Sequence, residues 1–272
     1  MRISSTIAKE APLSAPTMLR GDFCKRLNDT ADMGFDGAEL QFKAESGNMP
    51  DAAGIIKICE KRNLQICALA TGSLYTKDGL SLISSDRQVV DEAIDRLKLY
   101  VDFASQVGGK VIIGCVRGNL DDKKSCEAYL KQLAEGLSRL GEYGEKKKVS
   151  FLLEAINRYE NNYLATGGET AEFLQSNQLN GYSVLLDTFH MNMEEISIPK
   201  AIRDCAPLLG HVHTADSTRL VPGTAHTDFK QVVSALKDVS YQGWLSFECC
   251  VDRDEEKEAR EGLAHMRRML AR

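Results

Sequence analysis

The segment VSFLLEAINRYE (residues 149–160) contains a short apolar run that ends in a carboxylate, Glu154. Three later segments repeat this design, with Asp187 in SVLLDTFHMN (183–192), His213 in LLGHVHTAD (208–216) and Glu248 in GWLSFECC (243–250). A charged group at the end of a buried strand costs free energy unless it is paired or bound to an ion. The repeat therefore predicts buried strands that bring four polar side chains to one place.

Strand-like and helix-like segments alternate along the rest of the chain as well. The predicted strands are mostly apolar runs, as expected of parallel strands covered on both faces. They cover residues 2–7, 37–42, 65–71, 110–116, 149–155, 182–188, 209–215 and 243–249. Strict alternation implies a parallel sheet. Eight strands and eight helices in 272 residues match the size of a closed (β/α)8 TIM barrel.

We therefore predict a single TIM-barrel domain over residues 1–272. A doubly wound sheet is the alternative, but no G-x-G-x-x-G motif follows the first strand. The helices with the clearest apolar periodicity cover residues 86–106, 228–239 and 254–271. Ser85 and Gln88 stand at capping-box spacing before the first of these helices, and Gly108 and Gly109 follow its last turn.

Composition excludes several classes of function. The net charge of −5 argues against non-specific nucleic-acid binding, which normally requires a basic face. No apolar run reaches the ~18 residues that span a bilayer, and the N-terminus lacks the apolar core of a signal peptide. We therefore expect a cytoplasmic protein without membrane or nucleic-acid partners. The eight cysteines form no C-x-x-C pair, which predicts structural thiols rather than disulfides or metal ligands.

The four repeated polar residues form a candidate metal site. In a TIM barrel the active site lies at the C-terminal ends of the strands, where all four residues fall. Side chains two residues earlier share a strand face and should form the next layer down. These are Leu152, Leu185, His211 and Ser246. Three carboxylates and one imidazole suit Mn²⁺, Mg²⁺ or Co²⁺, and separate salt bridges or helix caps are the alternative. His211 is expected to be an interior histidine rather than a ligand.

Other polar residues follow the same strands. The NRYENN segment offers Arg158 and Glu160 after strand five, and His190 follows Asp187 by three residues. The segment ADSTRLVPG supplies Asp216 and Arg219 after strand seven. We expect these side chains at the rim of the same site.

Several of these motifs resemble a known family. EAINRYENN, LLDTFHMNMEE, HVHTADSTRLVPG and the Glu248 segment are similar to the ketose 3-epimerases of the xylose-isomerase-like barrel superfamily, and the resemblance covers nearly the whole chain. CALATGSLYTKDGLSL and VIIGCVRG further resemble the branch that acts on keto-sugar acids, the 5-keto-L-gluconate epimerase type.

The resemblance implies a mechanism and its residues. Glu154, Asp187, His213 and Glu248 would hold one divalent ion, with Mn²⁺ the first choice and Mg²⁺ or Co²⁺ possible. The ion would act as a Lewis acid, and Glu154 and Glu248 would exchange the proton on carbon 3 through an enediolate. Further residues implied to bind substrate oxygens are Glu160, His190 and Arg219.

Two further expectations concern the substrate end group and the assembly. Arg117 either meets a substrate carboxylate or forms a salt bridge in the barrel rim. By resemblance alone, a homodimer or homotetramer is expected.

Three other functions compete with this one. An aldose–ketose isomerase would use the same metal and carboxylates to move a proton between carbons 1 and 2. A metal-dependent abasic-site endonuclease is the alternative from another class, but those enzymes use a histidine-rich zinc cluster and this chain has five histidines. A non-catalytic sugar-binding protein would not need a paired acid and base. A phosphorylated substrate is disfavoured because the chain has no Gly-rich phosphate loop, although a helix N-terminus can bind phosphate without one.

Overall fold

The computed structural model describes residues 1–271 and forms a closed barrel of parallel strands. The barrel strands β1–β8 are Arg2–Ala8, Gly37–Gln41, Gln65–Ala70, Lys110–Ile113, Phe151–Glu154, Tyr182–Asp187, Leu209–His213 and Trp244–Phe247. Each strand pairs with the next, and β1 pairs with β8 to close the barrel, with Ser4 opposite Ser246. A two-residue strand, Leu19–Arg20, also pairs with β1. The predicted TIM barrel is confirmed.

Ten α-helices surround the barrel in the described part of the chain, against eight predicted. Helices α1–α10 are Phe23–Met33, Ala52–Arg62, Ser73–Asp78, Arg87–Val107, Cys126–Lys147, Gly167–Ser176, Thr188–Glu194, Ile198–Cys205, Phe229–Asp238 and Glu255–Leu270. The two additional helices, α3 and α7, are short and follow β3 and β6. They therefore lie at the end of the barrel where the candidate site was predicted.

Helix α4 confirms the predicted apolar stripe but begins at a different cap. The buried stripe contains Val90, Ile94, Leu97, Val101 and Ala104. The N-cap is Asp86, whose carboxylate accepts a hydrogen bond from the Gln88 N–H at 2.8 Å, so the capping box predicted at Ser85 was wrong. Aspartate caps a helix as well as serine does. The helix ends at Gly108, which adopts a left-handed φ of 84°.

Several strands are shorter than predicted. β4 ends at Ile113 because Gly114 leaves the extended conformation, with ψ −118°, and a 3₁₀ turn follows over Cys115–Arg117. Arg117 therefore lies in this turn and not at the end of a strand. β8 ends at Phe247, so Glu248 is the first residue after it.

The apolar core has two layers. The larger layer fills the space between the strands and the helices. The smaller layer lies among strand side chains only and contains Cys67, Ala68, Ile112, Leu152, Leu185 and Trp244. Leu152 and Leu185 are fully buried there, which confirms their predicted place below the candidate site. Within residues 1–271 no helix combines the length and the apolar character needed to cross a membrane. The cytoplasmic location stays a prediction.

Replacing Gly37 by alanine should destabilise the barrel. A Cβ at Gly37, the first residue of β2, would lie 2.3 Å from the Gln65 carbonyl oxygen and 2.6 Å from the Trp244 ring. Overpacking of this kind costs about 1–3 kcal/mol of unfolding free energy. Gly168→Ala is the matched control, since a Cβ there meets no atom within 4 Å. In urea denaturation, the urea concentration at the unfolding midpoint should be lower than that of the wild type for Gly37→Ala only. Equal midpoints for the two variants would contradict this packing.

Candidate metal centre

The structure brings the four predicted polar side chains together. Glu154, Asp187 and His213 are the last residues of β5, β6 and β7, and Glu248 follows β8 directly. One ligand atom of each of the four lies within 4.8 Å of those of the others. The strand register explains this convergence, because Asp187 pairs with His213 directly across the ladder between β6 and β7.

Two atoms of this cluster lack hydrogen-bond partners among residues 1–271. Asp187 Oδ1 accepts from the Phe189 N–H at 2.8 Å, which caps α7, while Oδ2 has no hydrogen-bond partner. His213 Nδ1 also has none, and it lies 3.5 Å from Glu248 Oε2 and 3.7 Å from Glu154 Oε1. Buried polar atoms are nearly always hydrogen-bonded. Unpartnered oxygen and nitrogen atoms at a carboxylate cluster therefore fit a divalent cation.

Two carboxyl groups of the cluster, those of Glu154 and Asp187, have raised pKa values. Burial raises the pKa of Glu154, and the charge of Glu248 raises it further. Burial raises the pKa of Asp187 to about 7, although the charges of Arg219 and His213 partly oppose this effect. A divalent ion would replace these protons with its own charge, so its binding should release protons.

His213 has the opposite balance of effects. Burial alone would lower the pKa of its imidazole, but the negative charges of Glu39 and Glu248 raise it well above the ordinary value. The ring is fully enclosed, with Glu39 Oε2 3.0 Å from Nε2 and Glu248 Oε2 3.5 Å from Nδ1. In the absence of a cation, the positive charge of His213 therefore balances part of the buried negative charge.

Gly114 leaves the space that the Glu154 side chain occupies. A Cβ at Gly114 would lie 2.6 Å from Glu154 Oε2. The absence of a side chain at Gly114 thus has an effect of its own, separate from the end of the strand. It allows the carboxylate of β5 to turn toward the centre of the barrel mouth.

Arg219 connects the cluster to the rim. Its guanidinium contacts Glu160 Oε1 at 2.9 Å and Glu248 Oε2 at 3.3 Å. It also lies over the Phe189 ring, 4.7 Å from the centroid, in a cation–π arrangement. The residue has a left-handed φ of 62°, which is uncommon outside glycine and is held here by the surrounding loop.

Asp216 holds that loop together. Its buried carboxylate accepts hydrogen bonds from backbone N–H groups at Ser217, Gly223, Thr224, Ala225 and Thr227, at 2.8–3.0 Å. Burial alone would raise the pKa of Asp216, but these hydrogen bonds lower it. Asp216, which was expected at the rim, therefore shapes the loop that carries Arg219.

His190 lies beside the cluster on α7 and is buried. Its Nε2 is 3.8 Å from both Glu154 Oε1 and Asp187 Oδ2, and its Nδ1 is 2.6 Å from Asn157 Nδ2. Burial, and then the charge of Arg219, lower the pKa of His190 well below its ordinary value. The ring is neutral near pH 7. With Asn157 donating to Nδ1, the ring proton resides on Nε2 and faces the carboxylates.

Two predicted rim residues lie elsewhere. Arg117 is fully buried, and its guanidinium donates to the carbonyls of Tyr163 and Leu164 at 3.0 and 3.3 Å. It forms no salt bridge with any residue from 1 to 271, so the rim salt bridge is not observed. Arg158 pairs instead with Glu194 at 2.8 Å, at the surface.

Sequence reasoning missed residues that β2 contributes. Glu39 is fully buried, and its Oε2 lies 3.0 Å from His213 Nε2. Gln41, two residues later on the same strand face, donates to Glu248 Oε1 at 3.3 Å. The available signal was a glutamate inside the buried run GAELQF, which is as costly as the three carboxylates and one imidazole already singled out.

The family of the chain follows from comparison with known proteins. Residues 27–269 match the family model described as "Xylose isomerase-like TIM barrel". The chain belongs to this family. The crystal structure of apo 3-keto-D-glucoside 4-epimerase from Escherichia coli superposes with a TM-score of 0.84 at 22% identity, covering 98% of this chain and 99% of that one. At this identity the superposition supports the fold alone.

Three curated relatives are sugar epimerases by name. A D-psicose 3-epimerase of Agrobacterium fabrum is 39% identical over 42% of this chain and 39% of its own length. An L-ribulose 3-epimerase of Methylomonas sp. is 33% identical over 66% of this chain and 63% of its own length. A 3-dehydro-D-guloside 4-epimerase of Escherichia coli is 26% identical over 87% of this chain and 90% of its own length. The first two alignments thus span less than two thirds of those relatives.

Replacing Asp187 by asparagine should stabilise the metal-free protein at high pH. Because the pKa of Asp187 is raised to about 7, the wild type loses stability as pH rises from the unfolded-state value near 4 to 7. Asparagine removes this loss, so the gain in unfolding free energy should be small at pH 4.5 and reach roughly 1–3 kcal/mol at pH 8. Urea denaturation of the variant and the wild type, in EDTA at both pH values, measures this difference in unfolding free energy. A variant less stable than wild type at pH 8 would contradict the burial cost.

Proposed function

We propose that this protein is a metal-dependent epimerase that inverts carbon 3 of a ketose or keto-sugar acid, with residues 1–272 forming one catalytic domain. The observation that carries the proposal is the pair Glu154 and Glu248, whose carboxylates both lie close to the unpartnered His213 Nδ1, at 3.7 and 3.5 Å. The names of the D-psicose and L-ribulose 3-epimerase relatives support it.

Glu154, Asp187, His213 and Glu248 would hold one divalent ion. Three hard carboxylates favour Mn²⁺, with Mg²⁺ and Co²⁺ as alternatives. When bound, the ion would supply Lewis-acid polarisation of the substrate carbonyl, which acidifies the neighbouring carbon.

Glu154 and Glu248 would move the proton. Inversion requires removal of the carbon 3 proton from one face of the substrate and its return to the other. The two carboxylates come from non-adjacent strands, β5 and β8, and so approach a central substrate from different sides. Arg219 and Gln41 fix the position of Glu248 through both of its oxygens, at 3.3 Å each.

Glu160, His190 and Arg219 would bind substrate oxygens near carbons 1 to 3. The Nε2–H of neutral His190 is available as a donor, and the Arg219 guanidinium would stabilise negative charge that develops on the carbon 2 oxygen. For a sugar acid, Arg117 stays the proposed partner of the carboxylate. That role requires its side chain to leave the carbonyls of Tyr163 and Leu164.

We also propose that the protein is a homodimer or homotetramer. Tyr159 and Ile196 are large apolar side chains with exposed fractions of 81% and 107%. Both lie on segments that follow β5 and β6, at the end of the barrel that carries the site. An assembly that covers them would remove apolar surface from water.

Solvent deuterium exchange tests the reaction directly. With Mn²⁺-loaded protein in D₂O, we expect deuterium at carbon 3 and a new epimer for one member of a panel of free ketopentoses, ketohexoses and keto-hexonates. The readout is NMR after removal of the paramagnetic ion. EDTA should abolish exchange and added Mn²⁺ should restore it. Exchange at carbons 1 or 2 with an aldose product would instead identify an isomerase.

A second candidate is epimerisation at carbon 4 of a 3-keto glycoside. The relative that aligns over 87% of this chain and 90% of its own length bears the name 3-dehydro-D-guloside 4-epimerase. The chemistry is the same, because carbon 4 of a 3-ketone also lies next to the carbonyl. The panel should therefore include a 3-keto glucoside, and deuterium at its carbon 4 alone would favour this candidate over the 3-epimerase.

Replacing either proton-transfer residue should stop turnover without unfolding the protein. Glu154→Gln and Glu248→Gln keep side-chain size but cannot exchange a proton at pH 7, so the turnover rate should fall at least about 10²–10⁴-fold. Glu172→Gln, at an exposed position on α6, is the control and should keep the wild-type rate. Steady-state kinetics and circular dichroism separate chemistry from folding. Wild-type turnover in either site variant would refute the two-carboxylate mechanism.

A further inference from the structure

A second buried polar cluster lies deeper in the barrel than the candidate metal centre. It consists of Glu39 on β2, His211 on β7 and Cys67 on β3, all buried and within reach of one another. Glu39 is the charged member, and it contacts two imidazoles through one oxygen. Its Oε2 lies 3.0 Å from His213 Nε2 and 3.2 Å from His211 Nε2.

The position of Glu39 is costly and therefore informative. A carboxylate inside a closed barrel loses its hydration, and only well-placed partners offset that loss. Cys67 is not such a partner, because its thiol contacts Ser4 Oγ at 3.2 Å and the Ala38 carbonyl at 3.3 Å. The histidines on β7 are the only ionisable groups within ion-pair distance of Glu39 among residues 1–271.

The contact with His213 determines which ring nitrogen faces the candidate metal. A carboxylate can only accept a hydrogen bond, so the proton of His213 resides on Nε2 when Glu39 is ionised. When a cation displaces the second ring proton, the lone pair is on Nδ1, the atom that lies near Glu154 and Glu248 and has no hydrogen-bond partner. The opposite tautomer would direct an N–H toward the cation.

We propose that Glu39 is a positioning residue that holds His213 in the tautomer and orientation required for cation binding. This inference rests on the metal site of the proposed function. Metal-bound histidines generally donate their second N–H to a carboxylate or carbonyl, and loss of that partner weakens metal affinity about 10- to 100-fold. Here the partner comes from β2, which is separated from β7 by the two strands β8 and β1.

Isothermal titration with Mn²⁺ tests the proposal without measuring activity. Glu39→Gln keeps the shape of the side chain but replaces a charged acceptor by a neutral amide, so the dissociation constant should rise about 10- to 100-fold. His211→Asn is the matched control, because His211 contacts the same oxygen but does not reach the metal cluster. Its dissociation constant should stay close to that of the wild type. Tight Mn²⁺ binding by Glu39→Gln would overturn the proposal.

The tautomer provides a second readout, which also decides the question if Glu39→Gln does not fold. Wild-type protein labelled with ¹⁵N-histidine and loaded with diamagnetic Mg²⁺ should show His213 protonated at Nε2 only, with the signals assigned by their loss in His213→Asn. A proton on Nδ1 would overturn the role of Glu39 alone. Failure of the wild type to bind any divalent ion would refute the metal site itself, and this inference with it. Metal binding without deuterium exchange would refute only the epimerase.

Discussion

The free-energy cost of placing carboxylates inside a closed barrel governs this structure. Glu39, Glu154 and Asp187 are buried, and Glu248 is largely so. Closure of the barrel between β1 and β8 leaves no edge through which water could hydrate them. The positive charges within reach belong to His213 and Arg219, and they offset only part of the cost. Buried carboxylates with so little compensation are expected at functional sites, where they serve a purpose other than stability.

The features that could be predicted from the sequence are those encoded by the residue pattern within a single strand. Apolar runs identified all eight strands, and a polar residue at the end of a run identified Glu154, Asp187 and His213 as neighbours. Alternation along a strand also placed Leu152 and Leu185 in the layer below. These features need only the two-residue period of a strand and the common direction of parallel strands.

Features that depend on contacts across the barrel were not predictable in the same way. Glu39 meets His213 although 174 residues separate them, and no local pattern encodes that pair. The same holds for Asn157 with His190 and for the burial of Arg117 beneath residues 163–164. The predicted Ser85 cap was wrong for a local reason, since Asp86 competes for the same backbone N–H groups.

Asp187 divides its two oxygens between two tasks, which restricts the residues that its position accepts. One oxygen caps α7, the helix that carries His190, and the other belongs to the polar cluster. Asparagine could cap but would bring no charge, and glutamate would move its oxygens away from the backbone N–H. Asparagine would therefore change the charge of the cluster, and glutamate would disturb the placement of His190. Position 187 connects the polar cluster to the helix that carries His190. Few single substitutions could therefore be accepted here without loss of one of the two contacts.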